Sequence, residues 1–193
     1  MRARLPLLLL VLIACGVDLV QARQPQRPRA VQAMTLTGPW PDGGAIPVPF
    51  TQAGDERSPA LQWSGVPEGT TSFVLLVQDL DAVNPNGLEP VLHWLVWNIP
   101  ATATGLPEGV PQGPTREDGS RQISVSGPYY RGPGAPASGP WHHYAFELYA
   151  LDAAVTVPAV GQSPADTRAA VRAAMAGHVL GKATYVGRFR RER

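Results

Sequence analysis

The stretches Phe-Val-Leu-Leu-Val-Gln (residues 73–78) and Leu-His-Trp-Leu-Val-Trp-Asn-Ile (residues 92–99) decide the fold. Each is short, rich in branched and aromatic residues, and flanked by turn-forming residues, as strands are. Both are apolar at successive positions rather than at alternate ones, which indicates that both faces of each strand are buried. They are therefore predicted to be central strands of a sheet that is covered on both sides.

Shorter apolar runs lie on either side of these two stretches, at residues 34–36, 61–63, 144–150 and 183–189. They are separated by clusters of turn-forming residues such as Pro-Asp-Gly-Gly, Val-Pro-Glu-Gly and Asn-Pro-Asn-Gly. Short strands joined by such turns predict an all-β protein, an antiparallel β-sandwich.

One helix is marked near the C-terminus. Ser163 suits the N-cap, Pro164 suits the first helical position, and Asp166 stands where a capping box has its acidic residue. Gly177 is able to end this helix in the left-handed conformation. A second, weaker segment runs from Gly177 to Gly181, so one or two short C-terminal helices are expected beside the sandwich.

The composition narrows the functional classes. The 193 residues include 20 glycines and 21 prolines, which excludes a bundle of long helices, and 44% are apolar, enough for one globular core. The formal charge of +1 supplies no basic field, which argues against nucleic acid as a partner. The single cysteine, Cys15, allows no internal disulfide and no thiolate metal cluster, and no cofactor is predicted.

Residues 1–22 are predicted to be an export signal. Two arginines precede an apolar run from Leu5 to Val17, which suits a secretory signal but is too short to span a membrane. The run contains Leu12-Ile13-Ala14-Cys15, which resembles a bacterial lipobox with Cys15 as the lipid acceptor. A competing cleavage site after Ala22 predicts a soluble chain that begins at Arg23. The sequence leaves both alternatives open.

Two further segments are defined by their prolines. Residues 23–32 are polar and are predicted to be a flexible spacer, so that the folded domain spans residues 33–193. Residues 110–141 show little periodicity, and loops of that length inside a compact domain are usually functional or disordered. This loop is therefore predicted to form a wall of a site.

Polar residues at the ends of the predicted strands form a candidate site. Asp79 and Asp81 follow the strand at 73–78 and share a face if the chain stays extended. His93 lies near the start of the next strand, and His142 and Tyr144 share a face at the start of another. All five side chains are expected to meet at one end of the sandwich.

Such a cluster is suited to a small phosphoryl or other anionic group. Imidazoles and phenols donate hydrogen bonds to phosphoryl oxygens, and a carboxylate beside an imidazole orients it and favours its cationic form. Purely structural explanations stay open for each residue: an aspartate after a strand often bonds its own backbone, and a histidine in an apolar strand often belongs to the core.

The segment Asp79-Leu80-Asp81-Ala82 is one of nine distinctive segments that occur in order along the chain between residues 34 and 190. The further segments lie at residues 35–37, 42–47, 58–70, 92–100, 105–109, 132–133, 142–152 and 177–181. In this order they resemble the phosphatidylethanolamine-binding protein family, in its bacterial Raf-kinase-inhibitor-like branch. Leu80 and Val83 replace the two prolines of that family's acidic loop, which leaves the shape of the loop open.

The resemblance implies a β-sandwich with a small pocket at one end that binds phosphate-like groups and phospholipid head groups. Carried over position by position, the ligand-binding residues are Asp79, Asp81, His93, His142 and Tyr144, with Gly132 and Pro133 as a wall. No metal and no cofactor is implied.

The sequence therefore predicts an exported protein that holds a small anionic ligand without converting it. It is expected in the bacterial periplasm, or on a membrane to which only lipid on Cys15 anchors it. The alternative is an inhibitor that binds an envelope protease or another hydrolase. A third hypothesis is a weak hydrolase with histidine and aspartate as acid and base, although no activated serine or cysteine accompanies them. The resemblance is also compatible with a homodimer.

Overall fold

The computed structural model describes residues 30–83 and 89–193. Within those ranges the chain forms ten strands, one α-helix and one 3-10 helix. In chain order they are β1 (Gln32–Ala33), β2 (Thr35–Thr37), β3 (Gly44–Ala45), the 3-10 helix (Val48–Phe50), β4 (Leu61–Ser64), β5 (Ser72–Val83), β6 (Pro90–Pro100), β7 (Gly105–Leu106), β8 (Arg121–Ile123), β9 (His142–Leu151), α1 (Pro164–Met175) and β10 (Val179–Phe189).

The export signal, Cys15 and residues 23–29 of the predicted spacer lie outside the described residues, so those assignments stay predictions. Residues 31–193 form one compact unit. In the described part of the chain no helix is long and apolar enough to cross a membrane.

The strands form two sheets that pack face to face. The larger sheet has the order β1-β10-β9-β5-β6-β8, with β3 also paired to β10, and the smaller sheet has the order β2-β4-β7. The long strands pair antiparallel, whereas the two-residue strands β1 and β3 run parallel to β10. The predicted β-sandwich is confirmed, with parallel pairing confined to these short strands.

Strands β5 and β6 lie in the interior of the larger sheet and bury both faces, as their unbroken apolar runs predict. Alternate residues of β5 enter two separate cores, one against the smaller sheet and one against α1. The first core includes Phe73, Leu75, Val77, Leu61 and Trp63, and the second includes Val74, Leu76, Leu95, Val171 and Met175. Each fully buried leucine or phenylalanine contributes about 1.5 to 3 kcal/mol.

The C-terminal helix α1 begins where the sequence predicts. The Ser163 hydroxyl accepts a hydrogen bond from the backbone N–H of Asp166 at 3.1 Å, and Pro164 occupies the first turn. After the helix, Gly177 takes a left-handed φ of 85°, and β10 starts at Val179. The segment from Gly177 to Gly181 is thus a turn and a strand start, and α1 is the one α-helix that the described ranges contain.

The proline-rich loop 110–141 is tied to the larger sheet more closely than its composition indicates. It contains β8, which pairs with β6, and the buried amide of Gln122 is fully bonded. Its Nε2 donates to the carbonyls of Pro111 and Gly113 at 2.7 and 2.9 Å, and its Oε1 accepts from the Trp94 indole at 2.9 Å. These bonds fix the loop against Trp94, which follows His93 directly in β6.

Candidate functional site

A small depression lies at the end of the larger sheet where β5 ends and β9 begins, with a volume of about 240 Å³. Strands β5, β6 and β9 form one side of it, and two loops form the other. Its lining consists of Gln52, Asp79, Ala82, Val91, His93, Arg131, Gly134, Ala135, Pro136, His142 and Tyr144. Four of the predicted ligand-binding residues therefore meet in one pocket.

The centre of the pocket is the pair Asp79–His142. Asp79 lies directly opposite Tyr144 in the antiparallel register of β5 and β9, and His142 is two residues before Tyr144, so all three share a face. Nδ1 of His142 is 2.8 Å from Oδ2 of Asp79, and Oδ1 of Asp79 accepts from the backbone N–H of Asp81 at 2.9 Å. The Asp79 side chain is only 5% exposed, and these bonds offset the cost of burying its charge.

His93 enters the pocket through an irregularity in β6. Val77 is paired with Trp94 but the next residue of β5, Gln78, is paired with Leu92, so His93 is an extra residue without a partner on β5. This β-bulge interrupts the alternation of β6 and turns the His93 ring onto the face that carries Tyr144, which it meets edge to face at 5.0 Å. Burial lowers the pKa of His93, although a hydrogen bond with the Arg131 carbonyl and the charge of Asp79 act in the opposite direction.

Tyr144 forms the floor of the pocket. Its ring is fully buried, and its hydroxyl accepts a weak hydrogen bond from the backbone N–H of Gly134 at 3.3 Å. Burial and the nearby Asp79 carboxylate raise the pKa of Tyr144, so the phenol keeps its proton and remains a hydrogen-bond donor.

Asp81 does not line the pocket, although it was expected to join Asp79 there. Its carboxylate faces solvent and accepts from the backbone N–H of His143 at 2.6 Å and from the His143 ring at 2.9 Å. Partial burial alone would raise the pKa of Asp81, but the two hydrogen bonds from His143 outweigh it and lower the pKa. The structure thus separates the two acidic residues into two aspartate–histidine pairs.

The wall predicted at Gly132 and Pro133 lies beside the pocket rather than on its surface. Pro133 accepts from the backbone N–H of Gln52 at 2.9 Å, and Gly132 accepts from the Gln52 side chain at 2.7 Å. A Cβ on Gly132 would lie 2.9 Å from the backbone of Phe50 and Thr51, so a larger residue does not fit there. The pair holds the neighbouring residues 134–136 in place, and these form the wall.

Gln52, Ala82 and Val91 were not predicted as parts of the site, and residues 134–136 were predicted only as an unspecified part of the wall at 110–141. Gln52 lies in a turn far from the strand ends in sequence, and no pattern around it indicates contact with the loop at residue 132. The sequence signals for this wall were the proline-rich composition of the loop and the family resemblance at Gly132 and Pro133. Neither identified the residues that line the pocket.

The arrangement is suited to hydrogen bonding with a small polar group. Two imidazoles and a phenol surround a space of molecular-fragment size, and the Asp79 carboxylate is already bonded to His142. Among residues 30–83 and 89–193, no group of three or more histidine, cysteine or acidic side chains is arranged to hold a metal ion.

The fold and the site together define a β-sandwich protein with a polar pocket at one end of its larger sheet. The family model described as phosphatidylethanolamine-binding protein matches residues 37–190. The chain belongs to this family, and the resemblance seen in the motifs is confirmed.

Three similar proteins illustrate the relationship. A UPF0098 protein of Methanothermobacter thermautotrophicus is 41% identical over 152 residues, covering 78% of this chain and 93% of the relative. The Mycobacterium tuberculosis protein named "Putative lipoprotein LppC" is 35% identical over 163 residues, covering 83% of this chain and 74% of the relative. The crystal structure of Escherichia coli YbcL, described as a member of the mammalian family, superposes with a TM-score of 0.66 at 28% identity, covering 82% of this chain and 99% of YbcL.

Proposed function

We propose that this chain is an exported binding protein whose pocket holds a small phosphoryl or other anionic group, comparable to a phospholipid head group, without converting it. The observation that carries the proposal is the buried Asp79–His142 pair, which lies with His93 and Tyr144 around one small depression. A concave site in which a few polar side chains converge is the usual form of a small-ligand site.

Size and charge favour a small anion. The pocket volume of about 240 Å³ is below the range of roughly 300 to 1,000 Å³ that is typical of drug-sized ligands, and it accommodates a phosphate or a short phosphoester. When His142 binds a proton, its charge balances that of Asp79 and its Nε2–H becomes a donor toward a ligand. An anion then enters a site without net negative charge.

The lining residues support binding without turnover. Within the described ranges, the pocket wall contains no serine, threonine or cysteine that His93 or His142 would activate as a nucleophile. Tyr144 keeps its proton because of its raised pKa, so its phenol is a donor rather than a nucleophile.

Isothermal titration with inorganic phosphate and phosphorylethanolamine tests the proposal. Replacement His142→Gln is expected to weaken binding by about tenfold or more, because a charge-assisted hydrogen bond is worth about 1.5 to 3 kcal/mol. The matched control is His143→Gln, one residue further along β9 and outside the pocket, which should bind within about twofold of wild type. Absence of heat from wild type, or equal loss in both variants, contradicts the proposal. Phosphorus NMR of the bound ester checks that it stays intact.

Export is proposed from the N-terminal segment together with the lipoprotein name of the mycobacterial relative. Intact-mass measurement of the protein from cells that export it distinguishes lipid on Cys15 from a chain that starts at Arg23. A mass that still includes residues 1–22 contradicts export.

A further inference from the structure

The hydrogen bonds of His93 determine which of its ring nitrogens carries a proton. Its Nδ1 lies 2.8 Å from the carbonyl oxygen of Arg131, and its own carbonyl accepts from the backbone N–H of Arg131 at 2.9 Å. A carbonyl oxygen only accepts, so Nδ1 of His93 must be the donor. A neutral imidazole has a single N–H, and Nε2 is therefore left with a lone pair.

Burial supports the neutral form of this ring. His93 is 4% exposed, and burial lowers its pKa. The groups that face it are Asp79 from β5, His142 and Tyr144 from β9, and Arg131 from the loop. Burial, together with the charge of Arg131, opposes protonation of His93 and outweighs the carbonyls of Arg131 and Gly132 and the charge of Asp79, which favour it.

The other polar side chains that line the pocket, Arg131 and Gln52, have hydrogen-bond partners outside it. The Arg131 guanidinium donates to the hydroxyl of Ser126, and the Gln52 amide donates to the carbonyl of Gly132. His142 also donates through Nδ1, to Asp79, so its Nε2 offers a proton to a ligand only when the ring is protonated. The pocket therefore combines an acceptor, Nε2 of neutral His93, with two donors: the Tyr144 hydroxyl and, when the ring is protonated, Nε2 of His142.

An anion that carries no proton repels the lone pair on Nε2 of His93, because both groups only accept hydrogen bonds. A singly protonated phosphoryl group instead donates its O–H to that nitrogen. On the basis of the proposed function, we infer that the pocket binds a phosphate monoester in its singly protonated form, with the P–O–H donating to Nε2 of His93. Sulfate and phosphodiesters, which carry no such proton near neutral pH, are bound more weakly. The charge count favours the monoanion over the dianion, because the Asp79–His142 pair is neutral when His142 is protonated and leaves no positive charge to offset a second negative one.

Two matched ligand pairs test the inference by isothermal titration of the wild-type protein. Inorganic phosphate is compared with sulfate, which has the same shape, and phosphorylethanolamine is compared with its diester, glycerophosphorylethanolamine. At about pH 6 the protonated member of each pair is expected to bind about tenfold or more tightly. Between about pH 6 and pH 8 the affinity for phosphorylethanolamine should fall by about tenfold or more, because a phosphomonoester loses its second proton with a pKa of about 6. Sulfate does not titrate in this range, so its own pH dependence measures the contribution of the protein.

Replacement His93→Gln gives a second arm, because an amide offers a donor as well as an acceptor. The preference for phosphate over sulfate should shrink in this variant and persist in His143→Gln. Equal affinity of wild type for phosphate and sulfate overturns the inference but leaves the proposed function standing, whereas binding of no anion at all overturns the proposed function. The wild-type comparisons decide the matter even if His93→Gln does not fold.

Discussion

Two aspartate–histidine pairs lie side by side on β5 and β9 and differ mainly in burial. Asp79 and His142 are joined at 2.8 Å with side chains 5% and 14% exposed, and Asp81 and His143 are joined at 2.9 Å with side chains 38% and 52% exposed. The chemistry and the distance are almost the same. His142 and His143 are consecutive residues of β9, so their side chains lie on opposite faces of the sheet. The first belongs to the candidate binding centre, and the second belongs to a surface ion pair.

The difference in burial predicts a difference in energy. A solvent-exposed ion pair is screened and its partners lose side-chain entropy, so its net contribution is small. Removal of one partner from a buried pair leaves the other charge or N–H without water and without a hydrogen bond. The two pairs therefore allow the effect of burial on the energy of an aspartate–histidine pair to be measured, because the residue types and the distances are nearly the same.

The largest effect is expected from truncation of the acidic partners. Asp79→Ala should lower the free energy of unfolding by about 3 kcal/mol, since it orphans the His142 ring, whereas Asp81→Ala should cost less than about 1 kcal/mol. Urea denaturation in anion-free buffer measures both. Leu80→Ala, an exposed position between the two aspartates, is the matched control. Similar losses for Asp79 and Asp81 would show that burial does not set the energies of the pairs.

An intermediate effect on stability is expected from His93, which is buried in the same pocket as Asp79 and His142. Because its pKa is lowered in the folded protein, the unfolded chain binds a proton at this position below about pH 6.5 while the folded chain does not. Its contribution makes stability decrease as the pH falls through that region. Urea unfolding between about pH 5 and pH 8 should give a flatter profile for His93→Gln than for wild type. Parallel profiles would mean that His93 titrates alike in both states.

The smallest effect is the response of the two pairs to salt. Double-mutant cycles with alanine at both positions of each pair give the coupling energies. The coupling of Asp81 with His143 should be below about 1 kcal/mol and should vanish at about 1 M salt, where the Debye length is only about 3 Å. The coupling of Asp79 with His142 should persist. Loss of both couplings at high salt would show that solvent reaches and screens the Asp79–His142 pair as well.

The sequence predicted the parts of the site that depend on regular alternation. Asp79, His142 and Tyr144 lie on one face because the ladder between β5 and β9 is regular as far as the pair Asp79 and Tyr144. Asp81 was assigned to the same face by the same rule, but it lies beyond the last pair of that ladder, where the register with β6 also shifts. His93 reached the pocket through a bulge, and no local pattern distinguishes a bulge from a continuous strand.

The fold was more predictable than the walls of the site. Unbroken apolar runs identified β5 and β6 as interior strands, because hydrophobic burial needs no knowledge of the partner. The loop at 110–141 depends instead on specific hydrogen bonds, such as those of the Gln122 amide to Pro111 and Gly113. Those bonds join residues about ten positions apart through one side chain, and composition does not encode them. Whether the pocket residues bind a ligand stays a prediction.

The two short parallel strands at β10 bear on how copies of this chain can meet. The backbone N–H groups of Met34, Gly43 and Ile46 already donate to the carbonyls of Lys182, Val186 and Arg188 along the outer side of β10. A long strand with a free edge is a template for pairing with another chain, and covering it is a common protection against aggregation. A second copy that added a strand at those positions would first have to displace β1 and β3. Contact between copies at this side of the sheet would therefore depend on side chains. Because β1 and β3 cover the backbone of β10, the sheet is protected from adding strands of further copies at this edge.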